Sequence, residues 1–369
     1  MRLEALEVVG CRNLKALEIE LAPGLNLLVG PNGAGKTSVL ESVYLLARGR
    51  SFRSARVGPV ICWGEEDLLV RARLWLESRG DVQVGMRRQR SNQATLKING
   101  EVQRQLSAVS RLLPVQLMLP ESASLVLGEP SLRRSFLDWG MFHVEHRYLD
   151  ELRGYQRALR QRNALLRQAA GHLDRLGTDF ETWTRALITA AETVSALRAT
   201  YVERLSSRLQ ILLADLAPQL DIAVSLDPGW PAQKALAEVL VASRHREVKS
   251  GLTAYGPHRA DLRLRLAEEA ASVALSRGQA KILASALHLA QAQLTAAETG
   301  MNSVFLIDDL GAELDGPHSR RFFEVLAESG SQVLATALAA PDLGSSFSPT
   351  KRQVFHVEHG ICQRAATGQ

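Results

Sequence analysis

The apolar-rich stretch at positions 3–9 reads as a strand, and apolar and polar residues alternate cleanly through Leu17-Glu18-Ile19-Glu20-Leu21, the period-two pattern of a strand with one buried face. Between them Cys11-Arg12-Asn13-Leu14 reads as a polar turn. A short apolar run at 25–29 predicts a third strand, and Ser38-Val39-Leu40-Glu41-Ser42-Val43-Tyr44-Leu45-Leu46 has helical periodicity. Residues 68–76, 81–86 and 95–98 predict a meander of strands, closed by the hairpin signal Asn99-Gly100.

The character of the chain changes at Pro120. Glu129-Pro130-Ser131 marks a helix start with proline at the first helical position. Tyr148, Leu152, Tyr155, Leu159 and Leu166 then fall at helical spacing. So do Phe180, Trp183, Leu187, Val194, Leu197, Tyr201, Leu205 and Leu212, with 171–178 between the two runs. Two antiparallel helices on an apolar seam account for this, a helical hairpin standing off the sheet. Beyond it, 220–226 and 262–266 read as strands, 280–297 as a long helix, and 304–307 and 333–335 as strands.

Candidate chemistry collects at three strand or helix ends. The strand at 25–29 runs into Gly30-Pro31-Asn32-Gly33-Ala34-Gly35-Lys36-Thr37, which is G-x-x-x-x-G-K-T, the phosphate-binding loop. Its glycines let backbone N–H groups turn toward a phosphate at a helix N-terminus, Lys36 reaches β- and γ-phosphates, and Thr37 ligates Mg²⁺. ATP or GTP is the expected ligand. The strand at 304–307 ends in Asp308-Asp309. Asp308 is the expected metal-side carboxylate, acting through water, and Asp309 the group that orients or deprotonates an attacking water. Third, Leu275-Ser276-Arg277-Gly278-Gln279 precedes the long helix, with Ser276 as N-cap and Gly278 permitting close backbone approach. This second anion-seeking helix end faces something other than the nucleotide already held by the first.

Composition adds little to that picture. Of 369 residues, 46% are hydrophobic and 22% charged, as in ordinary globular proteins. The net charge of +5 permits nucleic-acid binding without demanding it. Arg153, Arg157, Arg160 and Arg167 share one face of the first hairpin helix, either a solvated face or a phosphate-binding one. The same two readings stand for Arg53 and Arg56 in Gly49-Arg50-Ser51-Phe52-Arg53-Ser54-Ala55-Arg56. Arg87-Arg88-Gln89-Arg90, at a hairpin tip, is read as a solubilising charge run, and His258-Arg259 as a strand cap or more. Cys11, Cys62 and Cys362 show neither a disulfide framework nor a zinc spacing, which favours a reducing compartment. With acidic residues at the start and no apolar run near the roughly 20 residues of a membrane span, a cytoplasmic protein with no membrane partner is expected. Phe-His-Val-Glu-His occurs at 142–146 and 355–359, a repeat better explained by coincidence than by zinc.

Leu275-Ser276-Arg277-Gly278-Gln279 resembles the signature motif of ABC-type ATPase heads. Asp308-Asp309 followed by Gly311-Ala312-Glu313-Leu314-Asp315 resembles their Walker B motif and D-loop. The resemblance implies an α/β fold: an ABC-type P-loop ATPase head, a mixed sheet with flanking helices, carrying a mostly helical second lobe with a helical-hairpin arm. The head would comprise 1–120 and 250–369, and the lobe and arm 121–249. More narrowly, the chain is similar to the RecF family of bacterial recombination mediators. The matching stretches include Cys11-Arg12-Asn13-Leu14, Arg133-Arg134-Ser135-Phe136-Leu137-Asp138, Gln161-Arg162-Asn163 and Gly256-Pro257-His258-Arg259.

That likeness implies that Arg12 and Asn13 contact nucleotide and that Ser276, Gly278 and Gln279 bind the γ-phosphate held by a second copy. It also implies that Asp315 lies at the dimer seam and that Gln116 stands near the Q-loop position. ATP and Mg²⁺ are the implied cofactors. The implied partners are a second copy, single-stranded, gapped or junction DNA, and RecR, with RecO and RecA downstream and SOS induction as the outcome. Two departures bear on rate: Asp309 stands where transporter heads have Glu, implying a weak, slow ATPase that acts as a switch. Thr336 stands where they often have a switch histidine, which leaves the general base unassigned. The rivals are a transporter-coupling ATPase and a Rad50-like tether. Against the tether, a helix over 147–170 spans only about 36 Å.

Overall fold

The computed structural model describes residues 1–313, 316–340 and 347–365. The chain forms two compact units, Met1–Ser122 with Ala284–Gln369, and Ala123–Leu283. The second unit therefore takes in residues 250–283, the opening part of the 250–369 stretch that the motifs assign to the head.

The first unit opens with β1 (Arg2–Cys11), β2 (Leu14–Glu20) and β3 (Leu25–Val29), followed by α1 (Lys36–Arg48). Then come β4 (Asp67–Leu76), β5 (Gly80–Gln89), β6 (Ala94–Ile98), β7 (Glu101–Gln103), the short α2 (Leu106–Ser110) and β8 (Val115–Met118). In β4 burial alternates, with Leu68, Val70, Ala72, Leu74 and Leu76 inside, as in a sheet packed on one face. All of β3 is buried, as expected of a strand covered on both faces. Asn99 and Gly100 both take positive φ, 49° and 85°, which is the geometry of a two-residue hairpin between β6 and β7.

The second unit holds α3 (Ser124–Leu127), α4 (Pro130–Val144), α5 (Tyr148–Ala169), α6 (Thr178–Leu216), β9 (Ile222–Asp227), α7 (Leu236–Ser250), β10 (Asp261–Leu266), β11 (Glu269–Ala270) and α8 (Ala271–Ala274). Strands β11, β10 and β9 make a small antiparallel sheet. The helical hairpin is α5 and α6, and Tyr148, Tyr155, Leu166, Phe180, Leu187, Val194, Tyr201 and Leu205 are buried. Its seam is not wholly apolar. Arg162 is fully buried and donates to Glu247 at 2.7 Å, to Thr253 Oγ1 at 2.8 Å and to Thr184 Oγ1 at 3.1 Å. Arg198 donates to Asp138 at 2.7 Å, Tyr148 Oη at 2.9 Å and the Pro257 carbonyl at 2.8 Å. Charges taken out of water need such complete pairing, so both arginines lie where apolar spacing alone predicts leucine.

The last helix that starts in this unit, α9 (Arg277–Thr299), continues into the first. It is followed by β12 (Val304–Ile307), α10 (Leu310–Glu313), α11 (Gly316–Glu328), β13 (Gln332–Ala337), β14 (Arg352–Glu358) and β15 (Ile361–Arg364). The first unit thus contains two six-stranded sheets. One is antiparallel, in the order β2-β1-β4-β5-β6-β7. The other, β15-β14-β3-β13-β12-β8, is parallel except for β15. Strand β3 sits between β13 and β14, with Leu25 opposite both Val333 and Arg352, and β12 lies one strand further away. The loop after β3 and the acids after β12 therefore open at the same edge of one parallel sheet, where ligands of such sheets bind.

Candidate nucleotide site

The phosphate loop follows β3 as the motif requires. Gly33 and Gly35 take φ of 78° and 115°, where a side chain would be strained. At Gly30 an added Cβ would stand 2.1 Å from the Val357 carbonyl oxygen of β14, so only glycine allows the loop to leave the sheet here. Lys36, the first residue of α1, is buried and donates through Nζ to the carbonyls of Gly30 at 2.6 Å and Pro31 at 2.9 Å. Burial lowers its pKa, and the facing charges of Asp308 and Asp309 oppose that shift.

Thr37 and Asp308 meet across the sheet edge. The Thr37 hydroxyl donates to Asp308 at 2.9 Å, and the Thr336 hydroxyl at the end of β13 donates to the same oxygen at 2.7 Å. Thr336 also accepts the N–H of Asp309 at 2.8 Å, which pins Asp309 in a left-handed conformation with φ 56°. One buried threonine therefore sets both acids. Asp308, Asp309, Thr336, Lys36 and Thr37 all line a cleft of about 920 Å³, together with Asn32, Gly33, Ala34 and Gly35.

The turn between β1 and β2 reaches the same cleft. Arg12, also left-handed with φ 56°, donates from Nε and Nη2 to the two carboxylate oxygens of Glu41 at 2.8 and 2.7 Å, and from Nη1 to the Pro59 carbonyl at 2.6 Å. The Glu41 hydrogen bonds raise the Arg12 pKa. Asn13 joins the phosphate loop directly, donating to the Gly33 carbonyl at 3.1 Å and accepting from Ser38 Oγ at 2.9 Å. Arg53 lines the cleft and stands 3.6 Å from Glu41, whereas Arg56 is exposed on the same loop.

Glu41 escaped the sequence reading. It is fully buried in α1 and receives Arg12, Arg53 and the Ser51 hydroxyl. The available signal was a carboxylate between Leu40 and Ser42-Val43 on a helix whose other residues are almost all buried. The basic run at 87–90 also has more to do than solvation. Arg87 pairs with Asp67 at 2.7 Å, Arg88 donates to the Gly49 carbonyl at 2.6 Å, and Arg90 to the carbonyls of Glu65 and Cys62 at 2.8 and 3.0 Å. Gln116 does not line the cleft. It is buried on β8, accepting from His288 Nδ1 at 2.8 Å and donating to Gln291 at 3.3 Å, while Pro120 beyond the strand end reaches the cleft.

Ser276, Gly278 and Gln279 lie in the second unit, at the start of α9. Ser276 Oγ accepts the N–H of Gln279 at 3.3 Å and the Gln279 side chain accepts the N–H of Ser276 at 2.9 Å, a reciprocal capping box. Among the described residues, no heavy atom beyond its own stretch of helix lies within 4 Å of where a Cβ on Gly278 would stand, so none of them requires glycine there. Asp315 lies outside the described residues. Arg153, Arg157 and Arg160 are exposed on α5. Arg153 is 3.5 Å from Asp150, one turn before it on the same stripe, and Arg157 stacks 5.9 Å over the Trp183 ring. His258 sits between Tyr155 Oη at 2.5 Å and the Thr253 carbonyl at 3.1 Å, where burial lowers its pKa. It is a packed residue of the second unit rather than a strand cap. Of the repeated histidines, His143 lies inside α4 edge-on to Trp139, and His356 and His359 lie on and just beyond β14.

A phosphate loop after one parallel strand, two acids after another two places away, and an antiparallel sheet feeding a third turn into the same cleft define an ABC-type ATPase head. The comparisons narrow this. The family described as RecF/RecN/SMC N terminal domain matches residues 2–362. The DNA replication and repair protein RecF of Shewanella baltica strain OS155 is 38% identical over 360 residues, covering 98% of each chain. That of Shewanella frigidimarina is 37% identical over 361 residues, covering 98% of this chain and 99% of its own. The chain belongs to the RecF family.

Solved structures agree in fold. The recombination mediator protein RecF of the RecFOR pathway, solved with ATP, superimposes with a TM-score of 0.88 at 24% identity, over 99% of this chain and 98% of its own. The Smc head domain of Pyrococcus furiosus, with an extended coiled coil and bound to the C-terminal domain of ScpA, gives 0.57 at 16% identity, over 99% and 96%. Among the described residues no helix is long and apolar enough to cross a membrane.

Proposed function

We propose that the chain is an ATP-switched DNA-binding protein of recombinational repair and replication-fork maintenance, working as a head-to-tail dimer. The observation that carries this reading is the pair of anion-seeking helix ends, at Lys36 and at Ser276, in separate units of one chain. The first belongs to the chain's own phosphate cleft. The second is an exposed, capped turn around a glycine that no neighbour among the described residues requires, which suits the γ-phosphate of a nucleotide bound to another copy.

At the cleft, Gly30 to Thr37 would bind the phosphates through backbone N–H groups, with Lys36 exchanging two loop carbonyls for phosphate oxygens. The Thr37 hydroxyl and the Asp308 carboxylate, 2.9 Å apart, are hard oxygen donors of the kind Mg²⁺ takes and would hold it there. Bound Mg²⁺ would supply charge neutralisation at the phosphates. Asp309 orients the attacking water. Its carboxylate is shorter than a glutamate and its backbone is fixed by Thr336, which suits slow turnover that resets a switch. ATP binding closes the dimer, and hydrolysis releases it.

DNA binding follows from charge and avidity. A single protomer at +5 offers few phosphate contacts and binds weakly at physiological salt. Pairing places two sets of basic residues, with Arg153, Arg157 and Arg160 foremost and Arg53 and Arg56 beside the cleft, on one DNA segment. The preferred substrate is single-stranded, gapped or junction DNA. RecR is the direct partner, with RecO and RecA loading downstream and SOS induction following. Membership of the RecF family, whose relatives at 38% identity are DNA replication and repair proteins, supports DNA as the partner.

The test is sedimentation velocity with ADP, ATP and a slowly hydrolysed analogue, with and without gapped DNA. The expected result is a dimer with ATP or the analogue only, and tighter DNA binding in that state. A protein that stays monomeric with bound triphosphate at every concentration overturns the reading.

A further inference from the structure

The N–H groups of a phosphate loop turn inward only if its carbonyls turn outward, so whatever holds those carbonyls sets the cradle. The carbonyls of Gly30 and Pro31 are held by Lys36 Nζ, and that of Gly33 by the Asn13 side chain. The Ala34 carbonyl is held from the far end of the chain, where it accepts the Gly360 N–H at 2.8 Å. Gly360 is at the tip of the two-residue hairpin between β14 and β15. His359 and Gly360 take φ of 49° and 81° there, and Glu358 pairs with Ile361. The fit is close. A Cβ on Gly360 would stand 2.3 Å from the Asn13 carbonyl oxygen, so the tip is wedged between the phosphate loop and the turn that joins β1 to β2.

We propose, resting on the nucleotide reading of the cleft, that Gly360 is a positioning residue for the phosphates: it holds the Ala34 carbonyl outward, so that the last hairpin of the sheet fixes the cradle. When Lys36 exchanges the Gly30 and Pro31 carbonyls for phosphate oxygens, its hold on the loop ends. The holds from Asn13 and Gly360 stay, and both come from outside the loop. Strand β14 delivers the hairpin tip to this place. Paired in parallel with β3, it sets His356 beside Val29, and its Val357 carbonyl lies against Gly30. The stretch 355–359 thereby gains a role that its histidines do not supply. Phe355 and Val357 are buried on the sheet, the His359 side chain is exposed, and what reaches the loop is the backbone of the next residue. Coupling of this kind is reciprocal: a tip that favours the phosphate-binding form of the loop is itself held more firmly once phosphate is bound.

Calorimetric titration of the full chain with Mg·ATP, together with amide hydrogen exchange, tests this. Gly360→Ala is expected to weaken Mg·ATP about 2- to 13-fold, which is ~0.5–1.5 kcal/mol for one hydrogen bond at about 1.4 kcal/mol per factor of ten. Gly80→Ala is the control. That glycine, with φ 69°, opens β5 in a different hairpin, and no described heavy atom lies within 4 Å of its Cβ position. The control should lower the melting temperature through backbone strain and leave ATP affinity unchanged. In the wild-type chain Mg·ATP should slow exchange of the Gly360 amide by a factor comparable to the affinity lost in Gly360→Ala. Lys36→Met, which is expected to lose the nucleotide, should show no slowing. Unchanged ATP affinity in Gly360→Ala, equal losses in the two glycine variants, or Gly360 exchange indifferent to Mg·ATP overturns the brace and leaves the phosphate site standing. Should Gly360→Ala fail to fold, the exchange measurement on the wild-type chain decides alone. A wild-type chain that does not bind Mg·ATP would overturn the nucleotide reading itself, and the brace with it.

Discussion

The Thr336 hydroxyl has two partners at once, donating to Asp308 and accepting from the Asp309 N–H. Replacing it with valine keeps the shape and removes both bonds. A part-buried N–H is left without its protein acceptor, a loss of about 0.5–1.5 kcal/mol. Thr336→Val should therefore lower the unfolding temperature and weaken Mg·ATP binding together, whereas Thr336→Ser should lose little of either. Differential scanning fluorimetry with and without nucleotide measures both effects; unchanged melting in the valine variant would show that the hydroxyl does not hold the acids. At this scale the sequence was legible where chemistry is local. The run from Gly30 to Thr37 is contiguous, and Ser276 caps a helix three residues on. Thr336 and Glu41 were illegible in role because their partners lie 28 and 29 positions away, joined only by the fold.

Two helices carry tests of their own. On α9, His288 is only half-buried yet lies in a desolvated pocket that lowers its pKa from 6.5 to about 4. The unfolded chain takes up a proton between those values that the folded chain refuses, so stability is intact above pH 6.5 and falls as pH drops toward 4. The contribution is at most ~3 kcal/mol and, with the ring partly exposed, closer to ~1–2 kcal/mol. Urea unfolding at pH 7 and pH 4.5 should show His288→Gln losing less stability on acidification than wild type; equal losses would remove His288 from the account.

On α5, changing Arg153, Arg157 and Arg160 together to Glu should weaken DNA binding at least tenfold and flatten its dependence on salt. Binding that is unaffected would return the stripe to solvation, a role that the Arg153 contact with Asp150 already illustrates. The hairpin itself was readable from apolar spacing. Arg162 and Arg198 inside it were not, because a periodic pattern marks which positions face inward and is silent on whether a charge there finds partners.

For the whole molecule the decisive variant is Ser276→Arg. The substitution is at an exposed helix end in the unit that does not contain the phosphate loop, so nucleotide affinity should stay within about threefold while ATP-dependent dimerisation is lost. Sedimentation and nucleotide titration on the same sample separate the two, and a variant that still dimerises with ATP would place the contact elsewhere. The order of strands was beyond the sequence. Each strand announces itself by its own pattern, but the placement of β3 between β13 and β14 comes from pairings at opposite ends of the chain.

That pairing has a consequence for synthesis. Asn26 of β3 meets Val333 of β13 across 307 positions, so a nascent chain carries an unpartnered, largely apolar strand for about 15–60 s at ordinary translation speeds. The antiparallel sheet from β1 to β7 has all its strands within the first 103 residues and is free to assemble early. The phosphate loop, by contrast, acquires both flanking strands only after β14 has left the ribosome. A product broken off before β13 would expose the sticky edge of β3 and bind no nucleotide, which marks it for a chaperone or a protease rather than for the chromosome.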